Sequence, residues 1–316
     1  MPELPEVETT IRGLRNTILG LTIKDVWTDL STKDKRKRDT VADVKFFKIF
    51  KKKVSNKKIT SVERRAKNIL INLSRNKTIL IHLKMTGHLL YGKYKFTSPP
   101  APLLNKERGL GRGSAWVPAE NKSPLNDPYN RFIHTVFTLS NHKHLALSDA
   151  RKFGKITLLD TKTAYATKHL NNIGPEPLEK NFTLEKLKER LNKKPNGKIK
   201  TVLMDQSIIA GIGNIYSDEI LWRASVYPER KISKLKDGEI NLIFKAIKET
   251  LTKGIDFRGD SMSDYRNIYG LPGKFQLHHE AYRRTGEKCG KPNCQGVIKR
   301  KKINGRNTHF CSVHQK

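Results

Sequence analysis

The chain is short of acid and nearly without cysteine. Against 63 Lys and Arg it sets only 30 Asp and Glu, a formal charge of +33 over 316 residues. The excess runs along the whole length, which favours a polyanionic partner, nucleic acid being the commonest. Cysteine occurs only at Cys289, Cys294 and Cys311, all in the last 28 residues. An odd, clustered set argues against a disulfide framework and for metal ligation. No apolar run approaches the ~20 residues of a spanning helix, and the longest lysine-rich stretch lacks a clean amphipathic face. A membrane partner is therefore not expected. The acidic, periodic start has neither the basic nor the greasy part of a secretory signal, so a cytoplasmic or nucleoid-associated place is expected. The length leaves room for two or three domains, each with its own core.

What is present falls into four regions. Val7, Ile11, Leu14 and Ile18 keep helical spacing, with Gly20 placed as a left-handed C-cap. From 21 to about 159 the pattern changes to short, partly alternating apolar runs at 69–73, 78–83, 132–139, 145–147 and 155–159, which predict a β-sandwich or barrel. Two stretches interrupt it: 45–58, with seven lysines, and 95–130, a Pro/Gly/Asn/Ser-rich surface insertion. After a linker around Gly174-Pro175-Glu176-Pro177, helical patterns appear at 183–191, 198–206, 214–224 and 237–251. In the last, Asp237 is expected to cap and Gly254 to terminate. A polar loop then leads to the cysteine-bearing tail.

The tail reads Cys289-x4-Cys294-x16-Cys311-x2-His314. Two close pairs of soft or borderline ligands flanking a short hairpin fit a tetrahedral zinc with no open position. His309 competes with His314 for the fourth place. Between Lys288 and Arg306 stand seven basic residues and no acid, a charge suited to phosphates. The turn Gly211-Ile212-Gly213-Asn214, just before a helix, is expected to present backbone N–H groups to a phosphate, with Asn214 adding a donor. Lys67, Met85, Arg151 and Phe153 sit at strand ends and turns, where exposed functional side chains concentrate. Singly, each also suits a core or solvated position. Together, a Met or Phe wedge and an Arg suit an enzyme that extrudes a base from duplex DNA.

The opening Pro2-Glu3-Leu4-Pro5-Glu6 gains meaning in that setting. Trimming Met1 would leave Pro2 a secondary amine titrating near ~8, partly unprotonated at neutral pH. Such an amine forms Schiff bases with electrophilic carbon, and Glu3 could move protons for it. The same residues also suit a plain helix start, proline in the first turn and acids at the positive end.

In this order, the Pro-Glu-Leu-Pro-Glu start, Arg64-Arg65-Ala66-Lys67, His82-Leu83-Lys84-Met85-Thr86-Gly87, Asp149-Ala150-Arg151-Lys152-Phe153-Gly154, Gly174-Pro175-Glu176-Pro177-Leu178, Gly211-Ile212-Gly213-Asn214-Ile215-Tyr216 and the tail form one ordered set. Over essentially the whole chain, that set resembles formamidopyrimidine-DNA glycosylases. The resemblance implies an α+β multidomain fold. Residues 1–165 would form an N-terminal helix plus β-sandwich and 166–182 a linker. A helix–two-turn–helix domain with a lesion-capping loop would cover 183–275, and a C-terminal zinc ribbon 276–316. It implies base-excision repair: removal of 8-oxoguanine and formamidopyrimidines from double-stranded DNA through a Schiff base, then β,δ-elimination at the abasic site.

By the same resemblance Pro2 is the nucleophile, Glu3 the acid/base, and Glu6 a support. Lys67, Asn214 and Arg306 would hold phosphates, with His82 and Lys152 joining the DNA contacts. Met85, Arg151 and Phe153 would fill the gap. Cys289, Cys294, Cys311 and His314 would bind one structural Zn2+, with no redox or nucleotide cofactor. A bacterial, monomeric, cytoplasmic enzyme is implied. Departures from the family pattern are the x4 spacing, His314 as a ligand, Lys84 for a usual glycine and Ala150 for a usual proline. Two other functions compete: an endonuclease VIII-type enzyme for oxidised pyrimidines, against which Leu4 and the long 260–275 loop speak, and a non-catalytic zinc DNA-binding protein.

Overall fold

The computed structural model describes residues 1–97, 116–262 and 264–316. The chain forms two compact units. The first comprises Met1–Pro2, Glu6–Thr167 and Asp260–Gly273; the second comprises Glu3–Pro5, Lys168–Gly259 and Lys274–Lys316. The capping-loop segment, expected with the helices, thus clusters with the first unit, and the ribbon shares a unit with the helices.

From Glu6 onward α1 (Leu4–Thr17) belongs to the first unit, where Val7, Ile11 and Leu14, with Ile18 just past its end, are fully buried. Gly20 follows at φ 81°, a left-handed position that glycine takes without strain. Then come β1 (Ile23–Thr28), α2 (Val44–Val54), β2 (Ile59–Arg65), β3 (Asn68–Leu73), β4 (Lys77–His82), β5 (His88–Gly92), β6 (Tyr94–Phe96), β7 (Trp116–Pro118), β8 (Ile133–Leu139), β9 (His144–Ser148) and β10 (Lys155–Asp160). Two antiparallel four-stranded sheets, ordered β1-β8-β9-β5 and β10-β4-β3-β2, share a core that includes Val26, Phe137, Leu145, Ile71, Ile79 and Ile156. Each such side chain stabilises by roughly 1.5–3 kcal/mol relative to exposure.

Two expectations need correction here. The lysine-rich 45–58 stretch holds a helix. Asp43 caps α2 by accepting from Lys45 N and Phe46 N, and Phe46, Phe50 and Val54 recur every fourth residue toward the core. Its apolar face is made of phenylalanines set between lysines. The 95–130 stretch is more than surface: outside residues 98–115, which lie beyond the described residues, it contributes β7 and the buried Leu125 and Asn130. Leu125 packs with Tyr94, Ile133 and Val136, with Trp27 and Trp116 against them.

The second unit is helical: α3 (Leu184–Leu191), α4 (Ile199–Leu203), α5 (Asn214–Arg223) and α6 (Asp237–Asp256), followed by the hairpin β11 (Ile298–Ile303) and β12 (Arg306–Cys311). Thr183 caps α3 by accepting from Lys186 N. Asp237 opens α6 rather than capping it; Lys236 precedes it, its N–H donating to Glu239 at 2.8 Å. Gly254 does not terminate the helix but lies inside it. A Cβ there would come within 2.5 Å of the Tyr216 ring, so this glycine permits close packing of α5 on α6. Asn304 and Gly305, both at positive φ, form the two-residue turn of the hairpin. Among the described residues, no helix is long and apolar enough to cross a membrane.

Candidate active site

The start of the chain is held by the start of α5. Glu3 is 2% exposed, and its carboxylate accepts from Gly213 N at 2.6 Å, Ile215 N at 2.9 Å and Tyr216 N at 3.4 Å. These N–H groups have no partners inside the helix, and the helix dipole favours a negative charge there. Both glycines of the turn serve this arrangement. At Gly213 a Cβ would lie 2.4 Å from the Glu3 carboxyl carbon; Gly211, at φ +84°, leaves no room for one against Leu4. Leu4 N also donates to Gly211 O at 3.0 Å. The expected backbone phosphate clamp is therefore corrected: these amides bind the protein's own carboxylate. Pro2 is buried as well.

In the first unit, Glu6 is 2% exposed, and its carboxylate accepts from Asp260 N at 2.7 Å. Its carbonyl accepts from Tyr265 Oη at 3.0 Å, so one residue fastens the 260–273 segment at two points. The turns carry the remaining candidates. Lys67, expected to be solvated unless functional, is only 5% exposed, in the tight β2–β3 turn where Ala66 has φ 52°. His82 closes β4, and its Nδ1 accepts from Lys84 N at 3.0 Å, which assigns the proton of the neutral ring to Nε2. Removal from water, then Lys84, Lys67 and Lys155, push its pKa down to about 3. Lys84 stands at φ 56°, which explains why glycine suits this position.

Met85 and Phe153 are 38% and 42% exposed. The Arg151 guanidinium lies 4.5 Å over the Phe153 ring. Both turns are fastened by Asp149, which sequence reasoning gave no role. Its buried carboxylate accepts from the Thr86 hydroxyl, from Arg151 N at 3.2 Å and from Gly154 N at 2.6 Å. An Asp whose side chain bonds the N–H two residues on is a turn signal that was available in the sequence.

In the second unit, Asn214 Nδ2 donates to Asn307 O at 3.1 Å, next to the exposed Arg306. A buried ionic cluster lies beneath. Lys200 donates to Asp218 and, at 3.1 Å, to Asn214 O; Asp218 also accepts from His309 N and Nδ1, each at 3.0 Å. Lys200 and Asp218, and the pairing of Asp218 with His309, have no signal in the sequence because nothing local marks them. Removal from water lowers the Lys200 pKa, opposed by Asp218 and Glu3.

This cluster also claims His309, leaving His314 beside the thiols. Donor atoms of Cys289, Cys294, Cys311 and His314 all lie within 4.8 Å of one another. His314 Nδ1 is 3.3 Å from Cys289 Sγ and 3.8 Å from Cys294 Sγ, and Cys294 and Cys311 Sγ are 3.6 Å apart. These match the roughly 3.3–3.8 Å edges of a tetrahedron with zinc-length bonds. His314 Nε2 lies 3.1 Å from Trp222 O, so the donor proton on that side leaves Nδ1 free to ligate. Tertiary closeness offsets the longer x4 spacing.

Comparison with known proteins gives a consistent result. Residues 1–156 match the formamidopyrimidine-DNA glycosylase N-terminal domain, and residues 173–266 match the H2TH domain of the same glycosylase. The chain is 36% identical over 319 residues to the formamidopyrimidine-DNA glycosylase of Herpetosiphon aurantiacus, covering 100% of both. Against the Bacillus subtilis protein of that name identity is 34%, covering 100% of this chain and 99% of the relative. Among solved structures, the Lactococcus lactis Fpg in complex with abasic-site-containing DNA aligns with a TM-score of 0.79 at 30% identity, covering 99% of each chain. The wild-type Lactococcus lactis protein with N7-benzyl-Fapy-dG-containing DNA gives 0.78 at 30%, covering 100% of each.

Proposed function

The chain belongs to the formamidopyrimidine-DNA glycosylase family, and from that membership we propose that Pro2 is its nucleophile. It is a base-excision-repair enzyme, a DNA glycosylase for oxidised purines and an abasic-site lyase, with damaged DNA as its partner. The seat of Glu3 carries the proposal for Pro2. Three backbone N–H groups hold that carboxylate one residue from the amine, so it can serve proton transfer without wandering.

The Pro2 nitrogen attacks C1′ of the damaged nucleotide, and the glycosidic electron pair leaves with the base, which takes up a proton. Loss of the amine proton and opening of the C1′–O4′ bond, with a proton taken up at O4′, turn this aminal into an iminium. The iminium acidifies the 2′ position, so that a base can remove a 2′ proton and expel the 3′ phosphate. A second elimination expels the 5′ phosphate. Glu3 is the acid/base in these transfers. Glu6 braces the 260–273 segment. Lys67, Asn214 and Arg306, with His82 and Lys152, hold phosphates, and Met85, Arg151 and Phe153 occupy the gap left by the extruded base. The bacterial relatives support a cytoplasmic, nucleoid-associated setting.

Borohydride reduction with an 8-oxoguanine duplex tests the nucleophile. A covalent adduct mapping to Pro2, absent in Pro2→Gly, is the expected result. Gel retardation without any adduct would indicate a non-catalytic binder, and release of thymine glycol alone would indicate the pyrimidine-specific enzyme.

The Cys3His cluster fits one structural zinc, which would supply cross-linking and no chemistry, having no open position. Elemental analysis should give one zinc per chain, lost in Cys294→Ser. Chelation should disorder the hairpin and weaken duplex binding. Retention of full binding after zinc loss would remove the hairpin from the interface.

A further inference from the structure

The strands of the first unit connect two ends with different cargo. One end bears the turns after β2, β4 and β9, which carry Lys67, Met85 and Arg151. Register places the other turns at the far end. Along β3 and β4, Asn68 faces His82 at the site end and Leu73 faces Lys77 at the other. Along β8 and β9, Ile133 faces Ser148 at the site end and Thr138 faces His144 at the other. Strands of six residues at ~3.3 Å per residue separate these ends by roughly 17 Å.

The far-end turns form one continuous surface. Ser140 N donates to Thr22 O at 2.8 Å, and Thr22 N to Ser140 Oγ at 3.1 Å. Gly20 N donates to Ile59 O at 3.0 Å, and Ser74 N to Lys58 O at 2.8 Å. The residues of these turns, 19–22, 55–58, 74–76 and 140–143, include no acid. On and beside them Lys24, Lys53, Lys58 and Arg75 are exposed, with Lys57 and Lys143 half-buried. The acids flanking them on the strands are already engaged, Asp25 by Lys51 at 2.7 Å and Asp160 by Lys77 at 3.3 Å.

We propose that this end of the first unit is a second DNA-docking surface, which grips the phosphates of a duplex other than the one carrying the lesion. Ammonium groups spread over several turns are point charges that meet a regular phosphate lattice without reading sequence. His142 is the one exposed ring on these turns, too little to stack successive single-stranded bases, and Leu19 is their one strongly exposed apolar side chain, too little for a lipid surface. An enzyme holding two segments can pass between them without full release, the salt-sensitive behaviour expected of lysine–phosphate contacts. The proposal rests on the family's binding of damaged DNA, but not on the role of Pro2.

The test saturates an immobilised duplex containing a tetrahydrofuran abasic analogue with the full chain, washes it, and adds a fluorescent undamaged duplex at low salt. Wild type should capture the second duplex. Combining Lys24→Gln, Lys53→Gln, Lys58→Gln and Arg75→Gln should reduce capture about tenfold while retention on the first duplex and 8-oxoguanine excision stay unchanged. The matching variant with arginine at the three lysine positions should capture normally, which separates charge from misfolding. Absence of capture by wild type, undiminished capture by the glutamine variant, or preferential displacement by anionic vesicles or RNA would each overturn the proposal. A chain not retained on the first duplex would overturn the family's binding role for this chain, and the proposal with it.

Discussion

Each unit holds a buried carboxylate with several partners, and the two are held in opposite ways. Asp149, in the first unit, bonds N–H groups two and five residues onward plus the Thr86 hydroxyl. Glu3, in the second, bonds N–H groups more than two hundred residues away at the start of α5. Asp149 shapes a turn whose neighbours Arg151 and Phe153 project into solvent. Glu3 is itself the group to be placed, and a helix end fixes it from outside. The proposed roles fit this difference: residues meant to contact DNA need a firm base and a free tip, and one meant to move protons needs its carboxylate held.

The sharpest test of that contrast is Gly213→Ala. Its methyl would collide with the Glu3 carboxyl carbon at 2.4 Å and displace it. Excision at saturating enzyme should slow about 100-fold, the scale of a misplacement near 1 Å, with duplex affinity within a few-fold of normal. A normal single-turnover rate would mean that the seat of Glu3 is dispensable. Next in size is Asp149→Asn, which weakens the hydrogen bonds to Arg151 N and Gly154 N by roughly 1–3 kcal/mol. Here the affinity for a lesion duplex should fall about tenfold and the chemical step much less. A slowed step at unchanged affinity would reverse the assignment of roles.

The smallest effect separates the units by pH. Burial, before any other cause, pushes His88 down to about 4, and His82 is pushed to about 3. Both rings are neutral when folded yet take a proton near pH ~6.5 when unfolded. Below that pH the unfolded chain binds more protons, so the stability these groups contribute is whole above pH ~6.5 and is lost as pH falls toward the folded values. Glu219 in the second unit runs the other way: burial raises its pKa, so acid relieves its cost. Hydrogen exchange between pH ~6.5 and ~4 should therefore show the first unit loosening before the second. His88→Gln should flatten that response; equal loosening of both units would exclude the histidines as its cause.

Much of the architecture was legible in local pattern. The runs at 69–73, 78–83 and 155–159 became β3, β4 and β10, because alternation and short apolar blocks report burial directly. Helix α2 was missed because seven lysines obscured phenylalanines at helical spacing. Gly254 was misread because a helix terminator and a helix-packing glycine are the same residue until the Tyr216 ring is in place. The Gly211–Gly213 turn was recognised as a site of close approach, but what approaches is Glu3 and Leu4 rather than a phosphate.

Residue chemistry was written into the chain: an amine at Pro2 once Met1 is removed, three thiols and an imidazole at zinc-like spacing, and a positive field suited to DNA. Which amide meets Glu3, which histidine joins the thiols and which pairs with Asp218 depended on folding. Local sequence patterns report neighbours a few positions apart, whereas these partners are brought together by two cores assembled from distant segments. Packing sets those distances, and the distances decide which of several chemically able groups is used.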